Sequence, residues 1–136
     1  MTPPGGQTGT DRASARPRSL ALVALGGFLG AVARYGATLA LPAGFPWGTL
    51  AVNVAGSFAL GVLLYEARLV ERVSQRTRLV VGTGFLSSFT TYSTFAVETT
   101  ALAATPTLAL GNVLANYVLG FLAVLAGRTV VRRGLG

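Results

Sequence analysis

Ser87-Ser88-Phe89-Thr90-Thr91-Tyr92-Ser93-Thr94 interrupts an apolar run that starts at Leu79 and ends near Ala104. Six of these eight side chains are Ser or Thr, and a seventh is tyrosine. A run of that length is fit to cross a hydrocarbon core of about 30 Å, which takes about 20 helical residues. Backbone groups left unpaired in lipid cost several kcal/mol each, so an interrupted helix is tolerated only where it is buried in protein or lines a cavity. Composition alone leaves two readings open here, because Ser and Thr also back-bond to the helix that carries them.

Three further apolar runs surround this one, from about Leu20 to Leu41, Thr49 to Tyr65 and Leu108 to Ala126. The expected fold is therefore an all-α membrane protein with four transmembrane helices, the third of them broken. Residues 20–129 form the membrane domain, residues 1–19 a Pro/Gly/Arg-rich tail expected to be disordered, and residues 130–136 a basic C-terminal tail. The first run is too long for a signal peptide, contains Arg34 and lacks a small-x-small cleavage site, so it is read as a retained helix. No internal repeat is visible, and any symmetry must come from association of chains.

The bulk composition agrees. Of 136 residues, 51% are hydrophobic and 11% charged, against about 25% charged in an ordinary soluble domain. Mean hydropathy is +0.60. With no Cys and no His, disulfides, thiol chemistry, the usual zinc and haem sites and histidine bases are excluded. No pair of ionisable groups lies at a plausible catalytic site, which argues against an enzyme.

Eleven basic residues against four acidic give a net charge of +7. All eleven are arginine, and ten of them fall on one side once the N-terminus is placed in the cytoplasm. Arg12, Arg16 and Arg18 precede the first run, Arg68, Arg72, Arg76 and Arg78 join the second to the third, and Arg128, Arg132 and Arg133 follow the fourth. The opposite loops, 42–48 and 103–107, hold none. This positive-inside pattern puts both termini in the cytoplasm and reads the arginines as anchors at the lipid surface, with no nucleic-acid partner.

The polar groups at membrane depth are few. Arg34 lies well inside the first run, where an Arg costs at least about 2.5 kcal/mol and so requires a partner, a carbonyl or a watery vestibule, unless it snorkels to the interface. Glu98, beyond the break, is the only acid within a span; pairing with a hydroxyl, taking a proton and sitting at a pore mouth are all open to it. Thr49, Asn53 and Ser57 stand at i, i+4 and i+8, one stripe on one helical face. Asn112 and Asn116 repeat the spacing in the last run. Such groups serve interhelical hydrogen bonding in many membrane proteins; two stripes beside a hydroxyl-rich break favour a lined pathway.

Gly26-Gly27-Phe28-Leu29-Gly30-Ala31 with Arg34-Tyr35, then Gly48-Thr49-Leu50 with Asn53 and Gly56, then Gly84-Phe85, Thr90-Thr91-Tyr92-Ser93-Thr94-Phe95 and Glu98, together resemble the CrcB/Fluc family of fluoride channels. The likeness covers about Leu20 to Gly127. It implies passive export of cytoplasmic fluoride, and so resistance to fluoride toxicity, by an antiparallel dimer in a bacterial cell membrane. It also implies a structural sodium ion at the dimer centre, held by main-chain carbonyls of Ser87 and Thr90. By the same resemblance Tyr92 and Phe95 put their rings beside the fluoride paths. Asn53 matches the family's pore asparagine, and Ser93, Thr94, Thr49, Asn112 and Asn116 complete the polar pathway, with Arg34 and Glu98 in a vestibule or structural role. Where the family carries paired glycines this chain has Ser87 and Ser88, which suits it only if the backbone there avoids glycine's left-handed region.

Neutral donors such as Asn amides, hydroxyls and ring edges suit fluoride, since they replace its water without trapping it by a full charge. The arginine distribution adds a condition. An antiparallel homodimer needs one sequence to insert both ways, and ten arginines against none is not balanced; a heterodimer with a related chain of opposite topology meets the need. Two rivals stand beside the channel reading. A small four-helix multidrug-type exporter needs a membrane acid, typically on its first helix, where this chain has Arg34. A non-conducting partner subunit of a heterodimeric channel is favoured by Ser87, Ser88 and Tyr92.

Overall fold

The computed structural model describes residues 9–69 and 73–134, with side chains for 17–66 and 73–134. Every element among the described residues is helical: α1 (Gly9–Ala40), α2 (Trp47–Leu69), α3 (Gln75–Thr77), a π-helical stretch (Arg78–Leu86), α4 (Ser87–Phe89), α5 (Tyr92–Ala101) and α6 (Pro106–Gly134). Among the described residues, three segments are long and apolar enough to cross a membrane: Pro17–Ala40, Trp47–Glu66 and Pro106–Gly134.

The expected third span, 79–104, is not one continuous helix. Thr90 (φ −81°, ψ 157°) and Thr91 (φ −151°, ψ 125°) are extended and separate α4 from α5. The interruption expected from the hydroxyl run is therefore real, and it is two residues long. The helices extend into both tails. α1 reaches back to Gly9 through Pro17 and α6 continues to Gly134, so 9–19 and 130–134 are helical; residues 1–8 and 135–136 lie outside the described residues.

Two glycine seams set the packing. On one side α1 lies against the π-helical stretch so closely that a Cβ at Gly26 would fall on the Val80 carbonyl, and one at Gly84 would stand 2.7 Å from the Val23 carbonyl. Gly26 and Gly30 form the small-xxx-small spacing that lets membrane helices approach at backbone distance. On the other side α2 packs on α6, where Gly61 faces the Val124 backbone and Gly127 the backbone of Phe58. π-helical turns are rare and occur mostly near functional sites; this one leads directly into the break.

Few side chains form a core, among them Val52 (1% exposed), Leu86 and Phe95. Large apolar side chains such as Phe28 and Phe121 are instead exposed, the reverse of a water-soluble fold and the arrangement a lipid solvent permits. Between α1 and α2 the chain turns at Gly44, whose φ of 107° suits glycine, and the Phe45 and Trp47 rings meet at 4.6 Å.

Candidate functional site

The site is built around the break. In a continuous helix the Thr91 N–H would bond the Ser87 carbonyl; it goes instead to Asn53 Oδ1, at 2.9 Å. The Thr94 N–H would bond the Thr90 carbonyl; it goes instead to Thr91 Oγ1, at 3.1 Å, which makes Thr91 the N-cap of α5. Side chains thus divert the helical donors from two carbonyls, those of Ser87 and Thr90. Ser87 itself is right-handed helical, φ −68° and ψ −22°, so it carries no left-handed backbone strain.

Asn53 on α2 acts as a surrogate peptide. Its Oδ1 accepts the Thr91 N–H while its Nδ2 donates to the Thr91 carbonyl at 3.2 Å and to Asn116 Oδ1 at 3.0 Å. From there the bonds run on: Asn116 Nδ2 to the Asn112 carbonyl and to Asn112 Oδ1, both 3.0 Å, Asn112 Nδ2 to Thr99 Oγ1 at 2.8 Å, and Thr99 Oγ1 to the Phe95 carbonyl at 2.7 Å. Because the ends are main-chain groups of fixed polarity, each amide has one orientation only. A lone buried Asn would cost about 1–3 kcal/mol per unsatisfied group; here Asn112, 0% exposed, is fully enlisted.

Arg34 reaches the break from the other face. Its Nε donates to the Ser88 carbonyl at 3.1 Å, ahead of the interruption, and its Nη1 approaches Thr94 Oγ1 at 3.5 Å, beyond it. Of the readings open to an intramembrane Arg, the structure selects a carbonyl partner over snorkelling. Gly56 permits the close approach of α2, since a Cβ there would fall on Thr90 Cγ2.

A cavity of about 420 Å³ opens at this point, lined among others by Asn53, Ser57, Ser87, Thr90, Tyr92, Phe95, Asn116 and Tyr117. Tyr92 is 73% exposed and its ring lies 5.8 Å from that of Phe95, which is 7% exposed. Tyr117 meets Phe95 edge to face at 6.1 Å.

The sequence-derived residues therefore divide. Asn53, Asn116, Tyr92 and Phe95 line the cavity together with Ser87 and Thr90. Thr49, although on the Asn53 stripe, is 3% exposed and outside the lining, and Asn112 is buried behind Asn116. Several hydroxyls serve their own helix: Ser87 Oγ bonds the Thr83 carbonyl and Thr90 Oγ1 the Leu86 carbonyl, at 2.9 Å for the latter. Ser93 is exposed, 3.4 Å from Thr91 Oγ1, and Thr94 answers Arg34 and Thr91. Glu98 lines a different cavity. Tyr117 was missed; it is on α6 one residue past Asn116, and a ring beside a polar stripe was the signal available.

Residues 21–128 match the family model described as CrcB-like protein, Camphor Resistance (CrcB). A relative from Natronomonas pharaonis, named "Fluoride-specific ion channel FluC 1", is 61% identical over 117 residues, covering 86% of this chain and 97% of its own. One of the same name from Haloarcula marismortui is 54% identical over 114 residues, 84% of this chain and 86% of its own. "Fluoride-specific ion channel FluC" of Paracoccus denitrificans is 47% identical over 115 residues, 81% and 91%.

Proposed function

The chain belongs to the CrcB family, and from that premise we propose that it is a fluoride-specific channel subunit, a passive multi-pass membrane protein and not an enzyme. The observation that carries the reading is the break at Thr90–Thr91, held open by Asn53 and set in the wall of a cavity bearing the Tyr92 and Phe95 rings. In this reading the segment 75–101 is the third of four crossings, interrupted at mid-depth. Both amide protons of Asn53 and of Asn116 are engaged within the protein. Among the lining residues, those left to meet the anion are then Tyr92 and Phe95 through their ring edges, with Ser57 and Tyr117, and Ser93 beside them.

The Ser87 and Thr90 carbonyls, deprived of helical partners, are the hard oxygen ligands that a sodium ion takes. If two copies or relatives of the chain meet at this face, their carbonyls together hold the ion, which supplies central positive charge and fixes the breaks. The ten one-sided arginines support a placement of both termini on the cytoplasmic side of the membrane. The partner that fits is then a related chain of reversed arginine bias, lying antiparallel.

The test is fluoride efflux from liposomes, read with a fluoride electrode, for this chain alone and co-purified with such a partner. Fluoride-selective efflux with the partner is expected. Absence of fluoride flux in both preparations overturns the channel reading, and robust flux from this chain alone overturns the requirement for a second chain.

A further inference from the structure

A carboxylate in the final turn of a helix stands at the electrostatically unfavourable end. Glu98 occupies the last turn of α5, where free carbonyls already form the negative end of the helix dipole. Its Oε2 is buried without a hydrogen-bond partner. Arg34 is directed at Ser88 in α4 and at Thr94, one turn before Glu98 in α5. Glu98 also lines a second cavity, of about 340 Å³, with Thr38 of α1, Leu41 just after it, Phe45 of the loop, Trp47 at the start of α2, and Leu102 after α5. Oε2 has no hydrogen-bond partner among the described residues, and the cavity is the side from which a ligand reaches the carboxylate.

The wall identifies what enters. A hard metal cation takes a shell of oxygen ligands, whereas this wall offers one carboxylate amid leucine, proline and aromatic side chains. A carboxylate beside aromatic rings is the combination that recognises an ammonium group bearing carbon substituents, and the volume falls in the range of small-molecule sites. The loop 42–48 carries no arginine to repel a cation. We propose that this cavity binds an organic ammonium group, with Glu98 neutralising its charge and Phe45 and Trp47 packing its carbon substituents. The group belongs either to a lipid headgroup at the membrane surface or to a free amine.

Trp47 is the only tryptophan, so its fluorescence reports on this cavity alone. The purified chain is titrated with tetramethylammonium chloride at constant ionic strength, with sodium chloride as the replacement salt. A saturable change in Trp47 emission is expected, with the half-saturating concentration raised roughly tenfold or more by Glu98→Gln, a difference in the range that one desolvated charge contact supplies. No saturable change, an equal response to sodium chloride, or an unaltered response in Glu98→Gln overturns the proposal. Arg34→Gln, measured alongside, keeps the response if Glu98 is free for the ligand; a Glu98 held by Arg34 in solution shows as binding only after that substitution, and overturns it. Vesicles of phosphatidylethanolamine and of phosphatidylglycerol separate the sources: a lipid-borne group shifts Trp47 emission in the former and blocks the titration, a free amine titrates equally in both. The readout is independent of fluoride flux, so its failure leaves the channel reading intact.

Discussion

Asn53 and Thr91 are joined by two hydrogen bonds in opposite directions, Thr91 N–H to Oδ1 at 2.9 Å and Nδ2 to the Thr91 carbonyl at 3.2 Å. One side chain thus satisfies both main-chain groups of a residue that has left its helix. Asn53→Leu strands both and is expected to destabilise the protein by about 2–4 kcal/mol, with at least tenfold slower fluoride efflux. Asn53→Asp keeps the acceptor, loses the donor and falls between. Thermal unfolding in detergent and liposome efflux check both; wild-type flux in Asn53→Leu refutes the brace.

Gly56 admits no Cβ, because Thr90 Cγ2 occupies that place, whereas Gly111 has open space around it. Gly56→Val is expected to push α2 off the break and abolish efflux, while Gly111→Ala leaves efflux unchanged and stabilises α6 by up to about 1 kcal/mol. The pair separates a local steric effect from a general intolerance of glycine replacement.

Ser87→Ala tests which atom of Ser87 matters. The hydroxyl is turned back onto the Thr83 and Gly84 carbonyls, so its loss should change efflux less than about twofold, by the small net worth of such a bond. Efflux falling on removal of sodium from both sides, in wild type and Ser87→Ala alike, is the result expected of carbonyl ligation. A silent Ser87→Ala channel implicates the hydroxyl instead.

Arg34 holds Ser88 and Thr94 on either side of the interruption through two nitrogens of one planar group. A lysine offers a single point of charge in place of that fork. Arg34→Lys is expected to retain a minor part of the efflux and Arg34→Gln less, each with lowered thermal stability. Full activity in Arg34→Lys would show that charge alone suffices.

Tyr117 lines the cavity and meets the Phe95 ring edge to face. Tyr117→Phe keeps the edge-to-face pair and removes only the donor, so a several-fold loss of efflux with unchanged stability is expected if that hydroxyl meets the anion. Equal efflux assigns the ring alone a role.

Much of this was legible in the residues. Thr90-Thr91 within a hydroxyl run located the interruption, and the i, i+4 asparagines located the two helix faces that meet there. Thr49 and Asn112 show the limit: periodicity places a residue on a face but not at a depth, and neighbouring helices cover both. The clamp of Asn53 on Thr91 was hidden because its partner is backbone, which carries no sequence signal. The helical character of 9–19 was hidden for another reason, since composition rich in Pro, Gly and Arg describes solubility more directly than local conformation.

The chain of bonds from Thr91 through Asn53, Asn116, Asn112 and Thr99 to the Phe95 carbonyl contains amides, one hydroxyl and peptide groups, and nothing that gains or loses a proton in the biological range. Its wiring is the same in acid as in alkali. The brace on the break is thus built from groups that acidity does not rewrite.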